Sequence, residues 1–302
     1  MNGLSPRDIL KQLAAALPEE SRTNVIVVGS VAAGYCYFER DPERTVFTKD
    51  VDCMLSPHLK AVQTGQTVAE RLIAGKWKPG PEGPWSKPGD ASTPTEDLPL
   101  VRLYPPGSGG WNIELLNAPA TSVDRERKLT RLHTSLGDFA LCSFGFLALA
   151  EESPIRTEFG ILVARPEMMA LANMLHHPKI GTETMSGLIA GRRMKRSNKD
   201  LGRVLALAFL AERADEEALG RWPALWTSAL RNRFPADWQA LARQAGNGIR
   251  ELVASEEDLD EAVACTGSGL LASFRVTRST LTATAQRLLR DAVEPLEAVG
   301  NT

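Results

Sequence analysis

The sequence predicts an α+β protein in which strands and helices of a first half precede a helical second half. Residues 24–28 form a run of β-branched side chains that is typical of a buried strand. Residues 100–104 and 112–116 flank a Pro- and Gly-rich segment and predict a hairpin. After Arg165 the apolar residues recur at helical spacing, so two domains are expected, over 1–165 and 166–302.

Local signals place the other elements of the first half. Ser5, with Pro6 at the first helical position and Asp8 three residues after Ser5, indicates a helix start, and this helix is expected over 6–17. Helices are also predicted over 31–37 and 59–74, and strands over 146–150 and 161–164. The Gly- and Pro-rich residues 75–92 predict a loop, in which Trp77 and Trp85 either stack on a base or, more commonly, anchor the loop to the core.

The second half is predicted to be helical throughout. The expected helices cover residues 167–176, 187–211, 216–232, 236–245, 258–265 and 280–293. His176 and His177 are adjacent, so on a helix their side chains point about 100° apart and do not easily bind one metal ion. They are interpreted as helix-end residues before Pro178.

Composition excludes several classes of protein. The chain has 302 residues, of which 43% are hydrophobic, so it can bury a sizeable core. Its formal net charge of −2 excludes a strongly basic coat for nucleic acid. No secretory signal pattern or bilayer-length apolar run is present, which favours a cytoplasmic protein without a membrane segment. The cysteines are scattered, without a Cys-x-x-Cys motif, and are expected to be reduced thiols: Cys36, Cys53, Cys142 and Cys265.

Asp50 and Asp52 are the most informative pair in the chain. On a strand, residues two apart share one face, about 7 Å apart along the backbone, while Val51 faces the core on the other side. Two carboxylates in this arrangement suit magnesium ions that bridge substrate phosphates. An isolated Asp-x-Asp is more often a solvated turn or an edge strand, so neighbouring motifs decide its interpretation.

Two of these motifs lie on the predicted strands. Gly29 and Ser30 follow the first strand and precede a helix, an arrangement that can direct backbone N–H groups and a hydroxyl at a phosphate; the alternative is a tight turn with Ser30 as helix cap. Glu114 lies between apolar neighbours, where a buried carboxylate requires a partner, a proton or a metal. Its alternative is an edge strand on which Glu114 faces water.

A third motif is a basic segment in the helical half. On a helix its four cations, spaced by four, three and four residues, would form one stripe. They are Arg192, Arg196, Lys199 and Arg203. The stripe is either a solvated helix face or a cation cluster facing a triphosphate or another polyanion.

The order of these motifs resembles the nucleotidyltransferase superfamily, which has the DNA polymerase beta-like fold. Within it, the chain is most similar to bacterial nucleotidyltransferase-fold proteins and abortive-infection type toxins, over residues 25–210. The residues that carry the resemblance are Gly29, Ser30, Ala33, Tyr37, Phe47, Thr48, Asp50, Val51, Asp52, Glu114, Leu115, Leu116, Val163, Ala164, Arg165, Pro166, Ala170, Leu171, Lys195, Lys199, Asp200 and Leu201. The resemblance implies a mixed β-sheet with helices, followed by a helical domain.

The resemblance also implies an enzyme that moves a nucleoside monophosphate from a nucleoside triphosphate, such as ATP, to an acceptor hydroxyl. Two magnesium ions would be held by Asp50, Asp52 and Glu114, and Glu114 would also serve as general base. The implied nucleotide-binding residues are Gly29, Ser30, Lys49, Lys195, Lys199 and Asp200. Of these, Lys195 and Lys199 would neutralise the departing pyrophosphate, with Asp200 orienting Lys199 or Arg203.

The acceptor and the partners remain open at this point. RNA, including tRNA, is favoured as acceptor through the basic segment, and a protein antitoxin or a second copy of the chain is an implied partner. Asn173 departs from the family, because relatives usually carry a lysine at this position. The alternatives are therefore a catalytically weakened nucleotide- or protein-binding module, and a transferase that modifies a small molecule of the antibiotic type.

Overall fold

The computed structural model describes residues 3–38, 41, 44–80, 87–107, 110–119, 128–181, 183–185, 187–189 and 191–302. The chain divides into two compact units, the first comprising Met1–Tyr35 and Thr48–Ala164 and the second Cys36–Phe47 and Arg165–Thr302. Within the described residues, no helix combines the length and the apolar character needed to cross a bilayer.

The first unit is built on a mixed β-sheet. Its strands are β1 (Val25–Val28), β2 (Asp50–Leu55), β3 (Lys78–Pro79), β4 (Arg102–Tyr104), β5 (Asn112–Asn117), β6 (Lys128–Thr134), β7 (Gly137–Ser143), β8 (Ile155–Arg156) and β9 (Leu162–Val163). The order across the sheet is β3-β4-β5-β2-β1-β9-β8, and β7 pairs with both β5 and β6. Because β2 is antiparallel to β1 and parallel to β5, the sheet is mixed, as expected.

Helices accompany this sheet. They are α1 (Pro6–Ala16), α2 (Glu19–Arg22), α3 (Gly29–Tyr37) and α4 (His58–Ala74), and all but α2 were predicted from the sequence. The hydroxyl of Ser5 accepts a hydrogen bond from the backbone N–H of Asp8, which confirms the predicted start of α1. The apolar side chains Ile9, Leu10 and Leu13 of α1 are buried, so this helix contributes one face to the core.

Several elements of the first unit differ from the prediction, and among them α2, β3 and β8 were not predicted. The expected strand over 146–150 is a 3₁₀ helix, Gly145–Glu151, because a short apolar run does not distinguish a buried strand from a buried helical segment. The β6–β7 hairpin was not predicted.

Trp77 belongs to the core. It is buried and meets Trp111 edge to face, with ring centroids 5.6 Å apart. The anchoring interpretation is therefore the one observed, and no face of Trp77 is offered to a base. Trp85 lies outside the described residues.

The second unit is helical from Pro166 onwards. Its helices are α5 (Pro166–Ile180), α6 (Arg196–Ala214), α7 (Ala218–Arg233), α8 (Trp238–Gln244), α9 (Asn247–Ala254), α10 (Glu256–Gly267), α11 (Arg278–Leu288) and α12 (Glu294–Gly300), with a π-helical turn at Leu289–Val293. The fully buried Trp226 fixes α7 to α5, because its indole N–H donates to the carbonyl oxygen of Glu167 over 2.8 Å. Gly202 brings α6 close to α10: a Cβ at this position would lie 3.1 Å from the carbonyl oxygen of Ala262.

Several helices of the second unit differ from the prediction. The helix predicted over 187–211 begins only at Arg196, and Arg192 precedes it in a short bridge with Ile189, so the four-residue basic stripe is not formed on one helix. The prediction that His176 and His177 end a helix was wrong, because α5 continues through Pro178. Helix α9 was not predicted, and the last expected helix is interrupted by the π-helical turn.

Candidate active site

Strand β2 places the two aspartates on one side of the sheet. Asp50 is exposed, Val51 is buried, Asp52 is half-buried and Cys53 is buried, so the side chains alternate between the two faces. The strand lies between β1 and β5, in the interior of the sheet. Both carboxylates are thus carried by a rigid element and still reach solvent.

Gly29 lies against the second aspartate. The register pairs Val28 of β1 with Asp52 of β2, and α3 begins at the next residue, Gly29. Gly29 has φ +76°, and a Cβ there would lie 3.1 Å from Oδ2 of Asp52. Only glycine accommodates both constraints, so the N-terminus of α3 and the Asp52 carboxylate share one small space. Ser30 lies inside the first turn of α3, where amide N–H groups lack intrahelical acceptors.

Glu114 is the direct neighbour of Asp52 on the adjacent strand. The parallel β2–β5 register pairs Asp50 with Asn112 and Asp52 with Glu114. Residues that pair across neighbouring strands project from the same face of a sheet. The sequence analysis expected Glu114 beside the Asp-x-Asp strand, and this part of the prediction is confirmed.

The Glu114 carboxylate, however, is engaged by Arg102. The antiparallel β4–β5 register pairs Arg102 with Glu114, and Nε of Arg102 donates to Oε2 of Glu114 over 2.6 Å. The Glu114 side chain is only 12% exposed, against 36% for Arg102. Burial tends to lower the pKa of Arg102, but the negative charges of Glu114 and Asp50 outweigh this effect and raise the pKa above its ordinary value. Arg102 is therefore a permanent cation in the site.

Asn112 fixes the start of β2. Its Nδ2 donates to Oδ1 of Asp50 over 2.8 Å, and its backbone N–H donates to the carbonyl oxygen of Lys49 over 2.8 Å. Asn112 is 3% exposed, so these bonds are shielded from water. The Lys49 side chain is exposed beside this anchored backbone.

Arg102 and Asn112 were both missed by the sequence analysis. The available signal for Arg102 was its position in the predicted hairpin, as the basic residue of 100–104 that can face Glu114. No signal distinguished Asn112 from any polar residue at the start of a strand.

The two aspartates supply only part of the ligand set expected for a magnesium site. Among the described residues, no three His, Cys, Asp or Glu side chains form a group that could hold a metal ion. Asp50 and Asp52 provide carboxylate oxygens of the type that magnesium prefers, on a surface open to solvent. Glu114, held by Arg102, does not complete a three-carboxylate ligand set as placed.

The remaining predicted nucleotide-binding residues lie in the second unit. Nζ of Lys195 lies 2.6 Å from Oδ1 of Asp258, and the backbone N–H of Lys195 donates to Glu261. Lys199 is half-buried on α6. Oδ2 of Asp200 lies 4.0 Å from Nδ1 of His176. The expectation that Asp200 orients Lys199 or Arg203 stays a prediction.

Asn173 serves its own helix. Its Nδ2 donates to the carbonyl oxygen of Met169 over 2.9 Å, within α5. The side chain that stands where the resemblance leads one to expect a lysine is thus bonded to its own helix backbone.

The pair formed by Lys195 and Asp258 predicts a pH dependence for the second unit. Burial tends to raise the pKa of Asp258, but hydrogen bonds from Lys195, Asn198 and Ser255 outweigh it and hold the pKa below its ordinary value. A carboxylate whose pKa is lower in the folded state stabilises the protein above its unfolded pKa, and this contribution is lost as the pH falls through the folded pKa. We expect Asp258→Asn to lower the free energy of unfolding by roughly 1 kcal/mol at pH 7 and by progressively less below about pH 4. Urea unfolding at pH 7, 5 and 3 measures this difference.

The matched control for this prediction is Glu251→Gln, at an exposed carboxylate of α9. It should change the free energy of unfolding by less than about 0.5 kcal/mol at each pH. If Asp258→Asn destabilised the protein equally at pH 7 and pH 3, the ionised pair would not be the source of its stabilisation.

Comparison with known proteins leaves the family unassigned. No protein-family model matches the sequence, and no curated protein is significantly similar to it. Among solved structures, the chain is similar to the crystal structure of an antigenic nucleotidyltransferase-like protein from Paracoccidioides brasiliensis, with 14% sequence identity and a TM-score of 0.33. The match covers 80% of this chain and 94% of that chain. The TM-score is too low for this likeness to assign a fold or a function.

Proposed function

We propose that the protein is a magnesium-dependent nucleotidyltransferase that moves a nucleoside monophosphate from a nucleoside triphosphate to an acceptor hydroxyl. The observation that carries the proposal is the contact between two motifs. Asp52, the second aspartate of β2, lies against Gly29, the residue that begins α3. A pair of metal-binding carboxylates and a glycine at a helix N-terminus are the two elements that a triphosphate site requires.

Each residue has a role that follows from its position. Asp50 and Asp52 would hold the ion, and Asn112 keeps the Asp50 carboxylate in place through its 2.8 Å hydrogen bond. Gly29 keeps the space next to the Asp52 carboxylate free of a side chain, and the first amides of α3 would donate to phosphate oxygens. When bound at the aspartates, Mg²⁺ would neutralise phosphate charge and lower the pKa of a coordinated hydroxyl.

The remaining assignments are less direct. Glu114 would accept a proton from the acceptor hydroxyl only if its contact with Arg102 were shared or released. The roles of Ser30, Lys49, Lys195, Lys199 and Asp200 in nucleotide binding stay predictions, as do an RNA acceptor and a protein partner.

The proposal is tested by incubating the protein with Mg²⁺ and each of the four labelled nucleoside triphosphates, together with total RNA. Transfer of label to RNA, to the protein or to a small acceptor, abolished by EDTA, is the expected result. The proposal fails if no acceptor is labelled from any triphosphate under conditions in which the protein remains folded.

A second candidate function is a nucleotide-binding module without turnover. The ion pair between Arg102 and Glu114 favours this function, because Glu114 is the carboxylate that would hold the second metal ion in a two-metal reaction, and it is bound to Arg102 instead. Calorimetry separates the two functions: nucleotide binding with a measurable heat, combined with no labelled product, would support the module.

The nature of the acceptor is tested by charge reversal in the basic segment. On α6, Arg196 is exposed and contacts Glu183, and Arg203 is half-buried, whereas Arg192 is exposed ahead of the helix. If the acceptor is RNA, replacing these three arginines with glutamate should raise the KM for RNA at least about 10-fold and reduce its salt dependence. For a small acceptor, the same variant should change KM less than about threefold.

Lys60→Glu, on α4 of the first unit, combined with Lys11→Glu and Arg71→Glu, is the control for the same change of net charge. An equal effect of this control and of the triple arginine variant on the KM for RNA would exclude the basic segment as the specific contact.

A further inference from the structure

Arg102 is built into the candidate site by the sheet itself. The registers align Arg102 of β4 with Glu114 of β5, and Glu114 with Asp52 of β2. These three residues form one row across adjacent strands, with Arg102 about 10 Å from Asp52 at ordinary strand spacing. The position of this cation is thus set by backbone pairing rather than by a flexible loop.

The guanidinium group also changes the charge of the site. Asp50, Asp52 and Glu114 carry three negative charges, and Arg102 offsets one of them, which leaves two. One divalent cation balances that remainder in the site without nucleotide. Glu114 already has its counter-charge in the guanidinium of Arg102.

The contact between Arg102 and Glu114 is a charge-assisted hydrogen bond, which is stronger than one between neutral groups. Nε of Arg102 lies 2.6 Å from Oε2 of Glu114, the length of a charge-assisted hydrogen bond, and the Glu114 side chain is 12% exposed. A second ion at Glu114 would have to displace this guanidinium from a mostly buried carboxylate. The guanidinium has further N–H groups in a planar fork, a geometry that matches phosphate oxygens.

We propose that Arg102 supplies the positive charge at Glu114 that a second magnesium ion would otherwise provide, so that the site binds one divalent ion, at Asp50 and Asp52. In this arrangement Arg102 positions Glu114 and presents N–H donors to the phosphates of the nucleotide. The inference rests on the proposed function for the identity of the ligand, and it departs from the two ions that the family resemblance implies.

The test is the stoichiometry of Mn²⁺ binding to the full chain, measured by calorimetry and by electron paramagnetic resonance, without any turnover. The wild-type protein should bind one ion, and Asp52→Asn should bind none. Glu114→Gln should still bind one ion, with a Kd within about threefold of wild type, because Glu114 is not a ligand. Arg102→Gln frees the Glu114 carboxylate and should bind a second ion.

Arg102→Lys is the charge-conserving control for Arg102→Gln. It keeps the positive charge and should bind one ion. If Arg102→Gln binds a second ion and Arg102→Lys does not, the second ion results from the loss of the positive charge rather than from a disturbed fold. Circular dichroism and thermal unfolding establish that each variant is folded. The inference is overturned if the wild-type protein binds two ions or none, if Glu114→Gln loses its ion, or if Arg102→Gln still binds only one.

Failure of this inference is distinguishable from failure of the proposed function. A protein that transfers labelled nucleotide and binds two Mn²⁺ ions would overturn the inference and keep the function. If the protein binds one ion, the variants behave as expected and no acceptor receives nucleotide, the inference would stand and the proposed function would be overturned.

Discussion

Replacing Asp52 with asparagine is expected to reduce nucleotidyl transfer at least about 1,000-fold while the protein stays folded. Asparagine has nearly the same shape, but it lacks the negative charge that holds a divalent cation next to phosphate oxygens. A 1,000-fold loss corresponds to about 4 kcal/mol of transition-state stabilisation. Because Asp52 is half-buried at the edge of the core, stability should change by no more than about 1 kcal/mol. The measurement is kcat/KM with labelled triphosphate at saturating Mg²⁺, together with thermal unfolding.

The control for this variant is Asp97→Asn, at an exposed carboxylate of the 3₁₀ turn Thr95–Asp97 in the same unit. It should transfer nucleotide at the wild-type rate. A fully active, magnesium-dependent Asp52→Asn protein would remove the aspartate pair from the mechanism.

Replacing Gly29 with alanine is expected to lower nucleotidyl transfer about 100-fold. This loss of activity should be larger than expected from the decrease in the free energy of unfolding alone. A non-glycine residue in the left-handed region costs about 1–2 kcal/mol, and Gly29 has φ +76°. The added Cβ would lie 3.1 Å from Oδ2 of Asp52, so the carboxylate or the start of α3 has to shift by a few tenths of an ångström. A misplacement of about 1 Å can cost about 100-fold, and here the strained backbone at residue 29 adds to the shift of the carboxylate. Steady-state kinetics and urea unfolding give the two quantities separately.

Gly220→Ala is the matched control, because a Cβ at Gly220 in α7 meets no atom within 4 Å and the residue is helical. This substitution should be neutral or stabilising by up to about 1 kcal/mol, without an effect on transfer. If Gly29→Ala lost stability but kept wild-type transfer, the contact between Gly29 and Asp52 would be structural only.

The framework of the candidate site was predictable because it depends on short-range patterns. The β-branched run of β1, the alternation around Val51 and the hairpin that carries Glu114 are each visible over fewer than about ten residues. Together they place Asp50 and Asp52 on one strand and Glu114 on another, and the structure shows that these two strands are neighbours. The register then follows from the need to bury Val51 and Ile113 on the same side.

The partners of these carboxylates were not predictable from the same patterns. Arg102 faces Glu114 because of the exact pairing of two strands, and a shift of β4 by one residue would turn Arg102 to the opposite face. Asn112 contacts Asp50 across a parallel pair whose members are far apart in the sequence. Alternation tells which face a side chain occupies, but it does not select its neighbour.

The predicted helix boundaries were wrong for a related reason. The spacing of Arg192, Arg196, Lys199 and Arg203 suits a helix, yet the chain becomes helical only at Arg196. Charged residues on an exposed surface tolerate either conformation, so their periodicity carries little information about where a helix begins. The apolar residues of Gly145–Glu151 are ambiguous for a different reason. They are buried, and a continuous apolar run is compatible with either a buried strand or a buried helix, so the pattern does not distinguish the two.

The interior position of β2 limits the ways in which the site can be switched off. Its backbone is hydrogen-bonded to β1 on one side and to β5 on the other, so fraying at an edge of the sheet leaves Asp50 and Asp52 in place. Amide protons of 51–55 should therefore be among the slowest in the first unit to exchange with deuterium. Separating Asp50 from Asp52 would therefore require unpairing β2 from both of its neighbours in the middle of the sheet.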